Sequence, residues 1–324
     1  MVDVARSRAG APPVVAPAPA SASTSSDEIA IAPPPETFDA PAAAAAPPPI
    51  GLRSAATSAR AGGVWAVVIG IDDYPGGRSD LRSSVRDADD VDAALDAYGI
   101  PGDRRLVLRN TQASAAVIGD SLRWLVAHAG ADATAVFFYA GHIRKLGTGR
   151  EAIVAADGRL VTDVAMADLL RPLVAGQTWI ALAACYAGGF DEVLAPGRIL
   201  TGAAPAGSVA YENAEYGNSY LVEYMVDRAM REGRAPGSVE QSYAWAYDAL
   251  RREHPNRMPV QYDRLDGELR LGAPPPAAPS DPPSTPAPAQ PPPTNPPQDP
   301  PNDDGPCLLT IAGVAGCDDR AMKN

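Results

Sequence analysis

The stretch ATAVFFYAGH, residues 133–142, is an apolar run of strand length that ends in a glycine and a histidine. A second run, TWIALAACYAGG at residues 178–189, has the same plan and places Cys185 just past its apolar part. Continuous apolar runs of this length are typical of strands that are buried on both faces of a parallel sheet. The pattern predicts two such strands, each followed by a small-residue loop that carries one reactive side chain, His142 or Cys185.

Similar elements lie on either side of these two runs. VWAVVIGI at residues 64–71 predicts a further buried strand, and the apolar spacing over 81–97 predicts an amphipathic helix. Further strands are predicted at 104–110, 151–157 and 198–204, further helices after Thr111, after Thr162, over 217–232 and over 237–253, and a last strand pair at MPVQY and GELRL. Strands that alternate with helices predict an α/β fold with a mainly parallel sheet covered on both faces.

The order of these elements also predicts where the reactive residues meet. In open parallel sheets, functional groups lie beyond the carboxyl ends of the strands. His142 follows one predicted strand and Cys185 follows the next long one. We therefore expect both side chains at the same edge of one sheet.

Composition separates a folded middle from two unusual ends. Residues 1–62 are rich in Ala, Pro and Ser, and residues 273–324 contain many of the 35 prolines. Both segments are predicted to be disordered, because neither buries enough apolar surface to offset the entropy of ordering. The folded domain is expected at 63–272. The tails could bind proline-reading or regulatory proteins, and the short apolar C-terminus contains Cys307 and Cys317.

The net charge of the chain limits the classes of partner that it is expected to bind. A net charge of −12 and a pI near 4.7 disfavour nucleic acid and anionic membranes. No apolar run is long enough to span a membrane, and the N-terminus lacks the basic-then-apolar order of a signal peptide. The expected compartment is the cytoplasm, and a cationic peptide is compatible with the acidic charge.

A thiol and an imidazole at one sheet edge form a nucleophile and its base. The thiolate is the attacking form, and His142 could lower the thiol pKa, protonate a leaving amine, or do both. The backbone N–H groups of Cys185 and Ile143 would supply an oxyanion hole. This predicts a cysteine hydrolase that needs no cofactor. A lone cysteine at a strand end is also typical of a small buried hydrophobe, and His128 and His254, at predicted helix ends, are expected to be structural.

In order along the chain, these residues resemble the caspase–metacaspase group of cysteine peptidases, especially its bacterial caspase-like members. The resemblance covers about 63–272 and rests on the segments AVVIGIDDY, LRSSVRDADDV, FFYAGH, ALAACYAGG, LTGAAPAGSVAYEN and YGNSYLVEYMV. It implies a caspase-like three-layer sandwich with a mainly parallel sheet of about six strands. It also implies a catalytic dyad of His142 and Cys185 that acts on a polypeptide substrate.

The resemblance also bears on specificity. Metacaspases cleave after Arg or Lys, and two acids line the pocket that holds this residue. Asp87 stands at the position of the first acid, which implies a role in substrate binding, whereas Ala183 stands where the second acid is usual. A glycine usually follows the catalytic histidine, and here that residue is Ile143. A β-branched residue does not easily adopt a positive φ, so this departure bears on the oxyanion hole.

Some metacaspases bind calcium through acids near the active edge. The candidates here are Asp157, Asp163, Asp191 and Glu192. Calcium takes six or more oxygen ligands, and the paired aspartates of the family are reduced here to a Thr-Asp pair. Calcium is therefore a candidate cofactor that the residues support only in part.

Three functions remain open at this point. The first is a caspase-like cysteine endopeptidase that cleaves after Arg or Lys. The second is a degenerate, non-catalytic caspase-like domain that acts as an interaction module, and Ile143 and Ala183 favour it. The third is another thiol hydrolase, such as an amidase or a transpeptidase.

Overall fold

The computed structural model describes residues 28–30, 61–147 and 149–274. The strands in this part of the chain are β1 (Glu28–Ala30), β2 (Ala61–Gly70), β3 (Arg105–Arg109), β4 (Ala129–Ala140), β5 (Ile143–Gly147), β6 (Arg150–Val154), β7 (Leu160–Thr162), β8 (Gln177–Ala183), β9 (Arg198–Gly202), β10 (Tyr211–Asn213), β11 (Asn218–Ser219) and β12 (Val260–Asp263). The helices are α1 (Ser84–Ala97), α2 (Ala115–His128), α3 (Asp163–Leu170), a π-helix (Val222–Arg231) and α4 (Val239–Glu253).

A six-stranded sheet forms the centre, in the order β12–β9–β8–β4–β2–β3. All neighbouring pairs are parallel except the β12–β9 pair at one edge. The two apolar runs that end at His142 and Cys185 are β4 and β8, which are hydrogen-bonded neighbours. The predicted α/β fold, with a mainly parallel sheet of about six strands, is confirmed.

Helices cover both faces of this sheet because alternate residues of each strand point to opposite sides. In β2, Val67 and Ile69 pack in a cluster with the apolar residues of α2 and α3. Their neighbours Ala66 and Val68 pack in a second cluster with α1, the π-helix and α4. Burial on both faces explains why these strands read as continuous apolar runs rather than as alternating ones.

Two small antiparallel sheets lie outside the central sheet. One is β5–β6–β7, which begins at Ile143, directly after His142. The other is β1–β10–β11, in which residues 28–30 pair with the strand at 211–213. Residues 28–30 belong to the N-terminal segment that composition predicts to be disordered, and here they form a strand. Both small sheets follow from pairings that local apolar patterns do not reveal.

Two elements differ from the sequence-based predictions. The stretch GELRL is not a strand; Leu269 and Leu271 are instead buried against the side of the sheet that α4 covers. The helix predicted over 217–232 is a π-helix in its main part, and the N–H of Glu232 donates to the carbonyl of Asp227 at 2.8 Å. The spacing of apolar residues predicted a helix here but not its π type.

Most of the two predicted disordered ends lies outside the described residues, as do Cys307 and Cys317. The predicted boundaries at 62 and 272 therefore remain predictions. Among the described residues, no helix combines the length and the apolar character needed to cross a membrane.

Candidate active site

The carboxyl ends of β4 and β8 place the histidine and the cysteine at equivalent positions. Ala140 pairs with Ala183 at the end of the parallel ladder. His142 lies two residues beyond the first of these, and Cys185 lies two residues beyond the second. Because neighbouring strands lie about 4.8 Å apart, the sheet brings the two loops that carry the candidate dyad side by side.

His142 is held on several sides and is 2 % exposed. Its Nε2 lies 2.7 Å from the carbonyl oxygen of Ser79, and its backbone N–H donates to the hydroxyl of Tyr74 at 2.9 Å. A carbonyl only accepts, so the neutral ring carries its hydrogen on Nε2 and a lone pair on Nδ1. Burial lowers the pKa of His142, although the Ser79 carbonyl and Asp80 oppose this shift. A neutral imidazole with a free lone pair is the form that can accept a proton.

The Nδ1 atom of His142 is buried and has no hydrogen-bond partner among the described residues. The structure therefore does not join Nδ1 to the sulfur of Cys185 by a hydrogen bond. Catalytic hydrogen bonds are often long or unformed before substrate binds. The lone pair at Nδ1 is thus available, and a side-chain rearrangement would be needed to bring it to the thiol.

Cys185 is also buried, with 1 % of its surface exposed. Its sulfur accepts a hydrogen bond from the backbone N–H of Ala210 at 3.3 Å, and it packs in a small cluster with Ala204, Ala210 and Leu81. Burial raises the pKa of the thiol to about 11, and the Ala210 N–H opposes this shift. The raised pKa of the thiol and the lowered pKa of His142 both favour the neutral forms of these two candidate residues at neutral pH.

The turn after Cys185 is conformationally unusual. Tyr186 has φ +57° and ψ 14°, which is the left-handed region that a tyrosine seldom occupies. Its N–H donates to the carbonyl of Ser208 at 2.8 Å, and the N–H of Gly188 donates to the carbonyl of Ala204 at 2.9 Å. Strained backbone of this kind persists only when surrounding contacts hold it, and it is common at functional sites.

The segment 79–84 connects the parts of this site, although the sequence alone marks it only as a turn and a helix start. The Ser79 carbonyl orients His142, and Leu81 packs against the small cluster that contains Cys185. The N–H of Ser83 donates to Glu212 Oε1 at 2.9 Å. Further along, the N–H groups of Ser84 and Val85 donate to the carboxylate of Asp72 at 2.8 and 3.2 Å, which caps α1.

Asp87 is the predicted specificity acid, and the structure buries it so that it is 2 % exposed. Its Oδ1 accepts the N–H of Ser219 at 2.9 Å. Burial raises its pKa well above the ordinary value, the Ser219 hydrogen bonds oppose this, and the nearby charges of Glu212 and Asp227 raise it further. The carboxylate is thus poorly compensated and would gain from a positively charged partner.

Glu212 is a second buried acid near Asp87 that sequence reasoning missed. It is 3 % exposed, and burial raises its pKa despite the N–H donors of Ser83 and Arg82. The signal in the sequence was an acid within the strand-like stretch AYEN, but its proximity to Asp87 comes from the pairing of β10 with β11. Ala183, at the position of the missing family acid, packs in the apolar cluster beneath α1.

Ile143 is the first residue of β5 and pairs with Ile153 in extended conformation. Its side chain is fully buried in the core. The positive φ at this corner belongs to Gly141, with φ +152°, where a Cβ would lie 2.6 Å from the Tyr74 hydroxyl. The requirement for a glycine therefore falls one residue before His142 and not one residue after it, so Ile143 introduces no backbone strain.

The four calcium candidates have different surroundings, although Glu192 lies near enough to Asp163 and Asp191 for their charges to raise its pKa. Asp157 accepts the N–H of Ala115, at the start of α2. Asp163 is fully buried, and its two oxygens accept the N–H groups of Glu151 and Val164 at 2.9 and 2.6 Å. Glu192 is near enough to affect the pKa of Glu151, which lies close to Asp163, and Asp191 is exposed.

A lysine occupies the neighbourhood of these acids. Lys145 Nζ lies 3.6 Å from Glu151 Oε1. In the described chain, no three Asp, Glu, His or Cys side chains are arranged so that they could hold a metal ion. Because both carboxylate oxygens of Asp163 already accept backbone N–H groups and a lysine stands beside Glu151, the residues present do not fit calcium.

The other two histidines have structural surroundings. His128 ends α2, where its Nδ1 lies 2.8 Å from the carbonyl of Trp124 and its ring lies against Trp65 and Trp124. His254 follows α4 and packs against Tyr220. Neither histidine lies at the edge formed by β4 and β8.

Comparisons with known proteins agree with this architecture. The model of the caspase-domain peptidase family matches residues 64–263, so the chain belongs to that family. Among solved structures, the crystal structure of protein GSU0716 from Geobacter sulfurreducens is similar in fold, with a TM-score of 0.53 and 16 % identity over 65 % of this chain and 98 % of that one. No curated protein matches. The family match includes β4, β8, His142 and Cys185.

Proposed function

We propose that the protein is a cysteine endopeptidase in which His142 and Cys185 form the catalytic dyad. One observation carries the proposal: the two residues stand at equivalent positions beyond neighbouring parallel strands, and the Ser79 carbonyl leaves the lone pair on Nδ1 of His142. The family membership supports the same chemistry. A nucleophile, a base and a third group that orients the base are what acyl transfer by a thiol requires.

Because the pKa of the thiol is raised, we expect the proton to leave the sulfur during the attack and not before it. His142 Nδ1 takes the thiol proton as the sulfur of Cys185 bonds to the peptide carbonyl carbon, and a tetrahedral intermediate forms. The imidazolium then gives that proton to the leaving amine nitrogen as the C–N bond breaks, which leaves a thioester. A water molecule then attacks the thioester carbonyl carbon and gives a proton to His142. As the C–S bond breaks, the acid product leaves and the imidazolium returns the proton to the sulfur.

Two backbone N–H groups are proposed for the oxyanion hole, those of Cys185 and Ile143. The N–H of Val154 donates to the carbonyl of His142 at 2.9 Å. Because neighbouring residues of an antiparallel strand alternate in direction, the N–H of Ile143 points away from β6. β5 is an edge strand of the small sheet, so this N–H faces the side on which none of the described strands lies. Its extended conformation supports the role.

A preference for Arg or Lys before the cleaved bond is the finer part of the proposal. Asp87 and Glu212 supply two buried acids, although the family position at Ala183 is apolar. Both carboxyl groups have raised pKa values because burial penalises their charged forms. A guanidinium or ammonium group between them would stabilise both negative charges. A basic side chain would therefore bind more tightly than a neutral side chain of the same shape.

Covalent trapping tests the proposal directly. A peptidyl chloromethyl ketone with Arg in the P1 position is expected to add once to Cys185, as read by peptide mass spectrometry. The Cys185→Ala variant should gain no adduct at that site. A second chloromethyl ketone with citrulline in place of Arg is the matched reagent. Cys307 and Cys317 are internal controls for non-specific alkylation, since they should react equally with both reagents. Labelling of the tail cysteines alone would contradict the proposal.

A non-catalytic interaction module is the second candidate, and one observation favours it. Cys185 is nearly inaccessible, and burial raises its pKa to about 11, as for a structural thiol. A domain of this kind would show neither trapping nor turnover with any P1 residue. The left-handed turn at Tyr186 and the oriented ring of His142 favour the peptidase, because a purely structural cysteine needs neither.

A further inference from the structure

Lys145 reaches from β5 to the segments that surround the candidate nucleophile. Its ammonium donates to the carbonyl of Ala206 at 2.7 Å and lies 3.6 Å from Glu151 Oε1. It also lies over the ring of Tyr186, 5.4 Å from the ring centroid. Tyr186 is the left-handed residue directly after Cys185, so one cation contacts both the turn that carries the thiol and the loop at Ala206.

Glu151 is the buried partner of this lysine, and its side chain is 1 % exposed. Apart from the ion pair with Lys145, neither carboxylate oxygen has a hydrogen-bond partner in the described part of the chain. The carboxylate lies against Gly189, where a Cβ would be 2.6 and 2.7 Å from its two oxygens. Glu151 therefore supports the same turn from below, four residues after Cys185.

The charged form of Glu151 needs a nearby cation, because burial and the neighbouring acids disfavour it. Burial raises the pKa of Glu151, Lys145 lowers it, and Asp163 and Glu192 raise it. Among the charges that act on Glu151, that of Lys145 is thus the favourable one. A buried carboxylate without a counter-ion would be strongly disfavoured.

We propose that Lys145 is a positioning residue whose ammonium neutralises Glu151 and holds the turn of Cys185, in the place where the family resemblance suggested calcium. The inference rests on the proposed function for its catalytic consequence. The turn is ordered by an internal cation, so activity does not depend on a divalent one.

Lys145→Met tests this, because methionine keeps most of the length and removes the charge. We expect kcat on an Arg peptide to fall about 10- to 100-fold through misplacement of the thiol, with KM changed less than about threefold. Lys145→Arg should retain most of the activity. Millimolar calcium chloride or a chelator should leave the wild-type rate unchanged.

Two readouts do not need turnover. In Lys145→Met, alkylation of Cys185 by iodoacetamide and amide exchange at residues 186–189 should both accelerate, whereas Lys145→Arg should behave as wild type. Wild-type alkylation and exchange in Lys145→Met would overturn the role of Lys145. Activation of the wild type by calcium would contradict the proposal that Lys145 takes the place of a metal ion. A wild type without any peptidase activity would sink the proposed function and leave these two readouts to decide on Lys145.

A separate observation concerns β1. Residues 28–30 pair antiparallel with β10, with Ile29 opposite Glu212 and Ala30 opposite Tyr211. The next residue back from Tyr211 is Ala210, whose N–H donates to the sulfur of Cys185. β1 therefore runs along β10 toward the nucleophile.

An extended peptide binds a sheet edge by adding a strand to it, with main-chain hydrogen bonds. A substrate whose backbone paired with β10 in this direction would bring its next carbonyl toward Cys185. We infer that β1 occupies the edge that an extended peptide substrate needs, so the chain competes with its own substrate. This inference also rests on the proposed function.

Ile29→Pro combined with Ala30→Pro in the full chain tests the competition, since proline removes the backbone donors of β1. The matched control, Ile29→Val with Ala30→Val, keeps them. When β1 covers β10, only the fraction of molecules with a free edge can bind a peptide. Removal of β1 should therefore lower KM for an Arg peptide, on the order of tenfold, with kcat unchanged. Amide exchange at residues 211–213 should also accelerate.

Unchanged KM together with unchanged exchange at residues 211–213 would overturn the role of β1. Fluorescence anisotropy of a fluorescein-labelled Arg peptide with Cys185→Ala measures peptide binding without catalysis. This assay separates the role of β1 from the peptidase proposal. If the proline pair tightens that binding but no variant turns over, β1 covers a peptide site and the peptidase proposal fails. Equal binding with and without the proline pair again overturns the role of β1.

Discussion

Replacement of His142 by glutamine lowers kcat/KM on an Arg peptide by about 10²- to 10⁴-fold, which is the usual contribution of a general base. Glutamine can still donate to the Ser79 carbonyl, but it has no group that accepts the thiol proton near neutral pH. The wild-type rate should fall with decreasing pH through a pKa below the ordinary histidine value of 6.5, because burial lowers the pKa of His142. Above that pKa the imidazole is neutral and active, and the acid limb should be absent from the variant.

The control for this variant is His128→Gln. His128 lies at the end of α2 with its Nδ1 beside the Trp124 carbonyl, so its loss should change stability and not the pH profile. Cys185→Ala in the same assay should leave only background hydrolysis. A His142→Gln protein with the wild-type rate and an unchanged acid limb would remove His142 from the mechanism.

The second large effect is expected from Asp87→Asn combined with Glu212→Gln. Wild type should prefer an Arg peptide to the same peptide with citrulline, which has nearly the shape of arginine without its charge. Each charge-assisted hydrogen bond contributes about 1.5–3 kcal/mol. Loss of one or both should therefore reduce kcat/KM for the Arg peptide by about 10- to 10⁴-fold, at 1.36 kcal/mol per tenfold change. The Arg-to-citrulline ratio should approach one.

Folding does not confound this test, because both amides keep oxygens that can accept the N–H groups of Ser219 and Ser83. Burial raises the pKa of both acids, so their charged forms weaken the folded protein, and the neutral variants should be at least as stable at neutral pH. Asp89→Asn is the matched control, since Asp89 lies on α1 but pairs with Arg109 at the surface. An Arg-to-citrulline ratio that survives the double substitution would place the basic pocket elsewhere.

Much of the fold was predictable because it depends on local patterns. The apolar runs that became β2, β4 and β8 are largely buried on both faces, as is typical of strands in a covered parallel sheet. The edge shared by His142 and Cys185 follows from the polarity of parallel strands. The GELRL stretch was misjudged because two buried leucines that pack against α4 have the same spacing as a half-buried strand.

The contacts that orient the site were not predictable from local patterns. Ser79 is 63 residues from His142 along the chain, and Ser83 is 129 residues from Glu212. Nothing in the composition of the segment 79–84 indicates that its carbonyl and N–H groups are used in this way. The ion pair of Lys145 and Glu151 was likewise hidden, because both are ordinary residues of a short hairpin until the loop after Cys185 packs against them.

The sequence by itself determined the layered sheet, the two reactive side chains and the edge on which they stand, because hydrophobic periodicity and strand polarity act over a few residues at a time. Only the tertiary structure decided the burial of His142 and Cys185, the second acid beside Asp87, the lysine beside Glu151 and the strand on β10. Each of these depends on burial or on pairing between distant segments, and the free energy of a charge or of an unpaired backbone group is set by what the whole fold places around it.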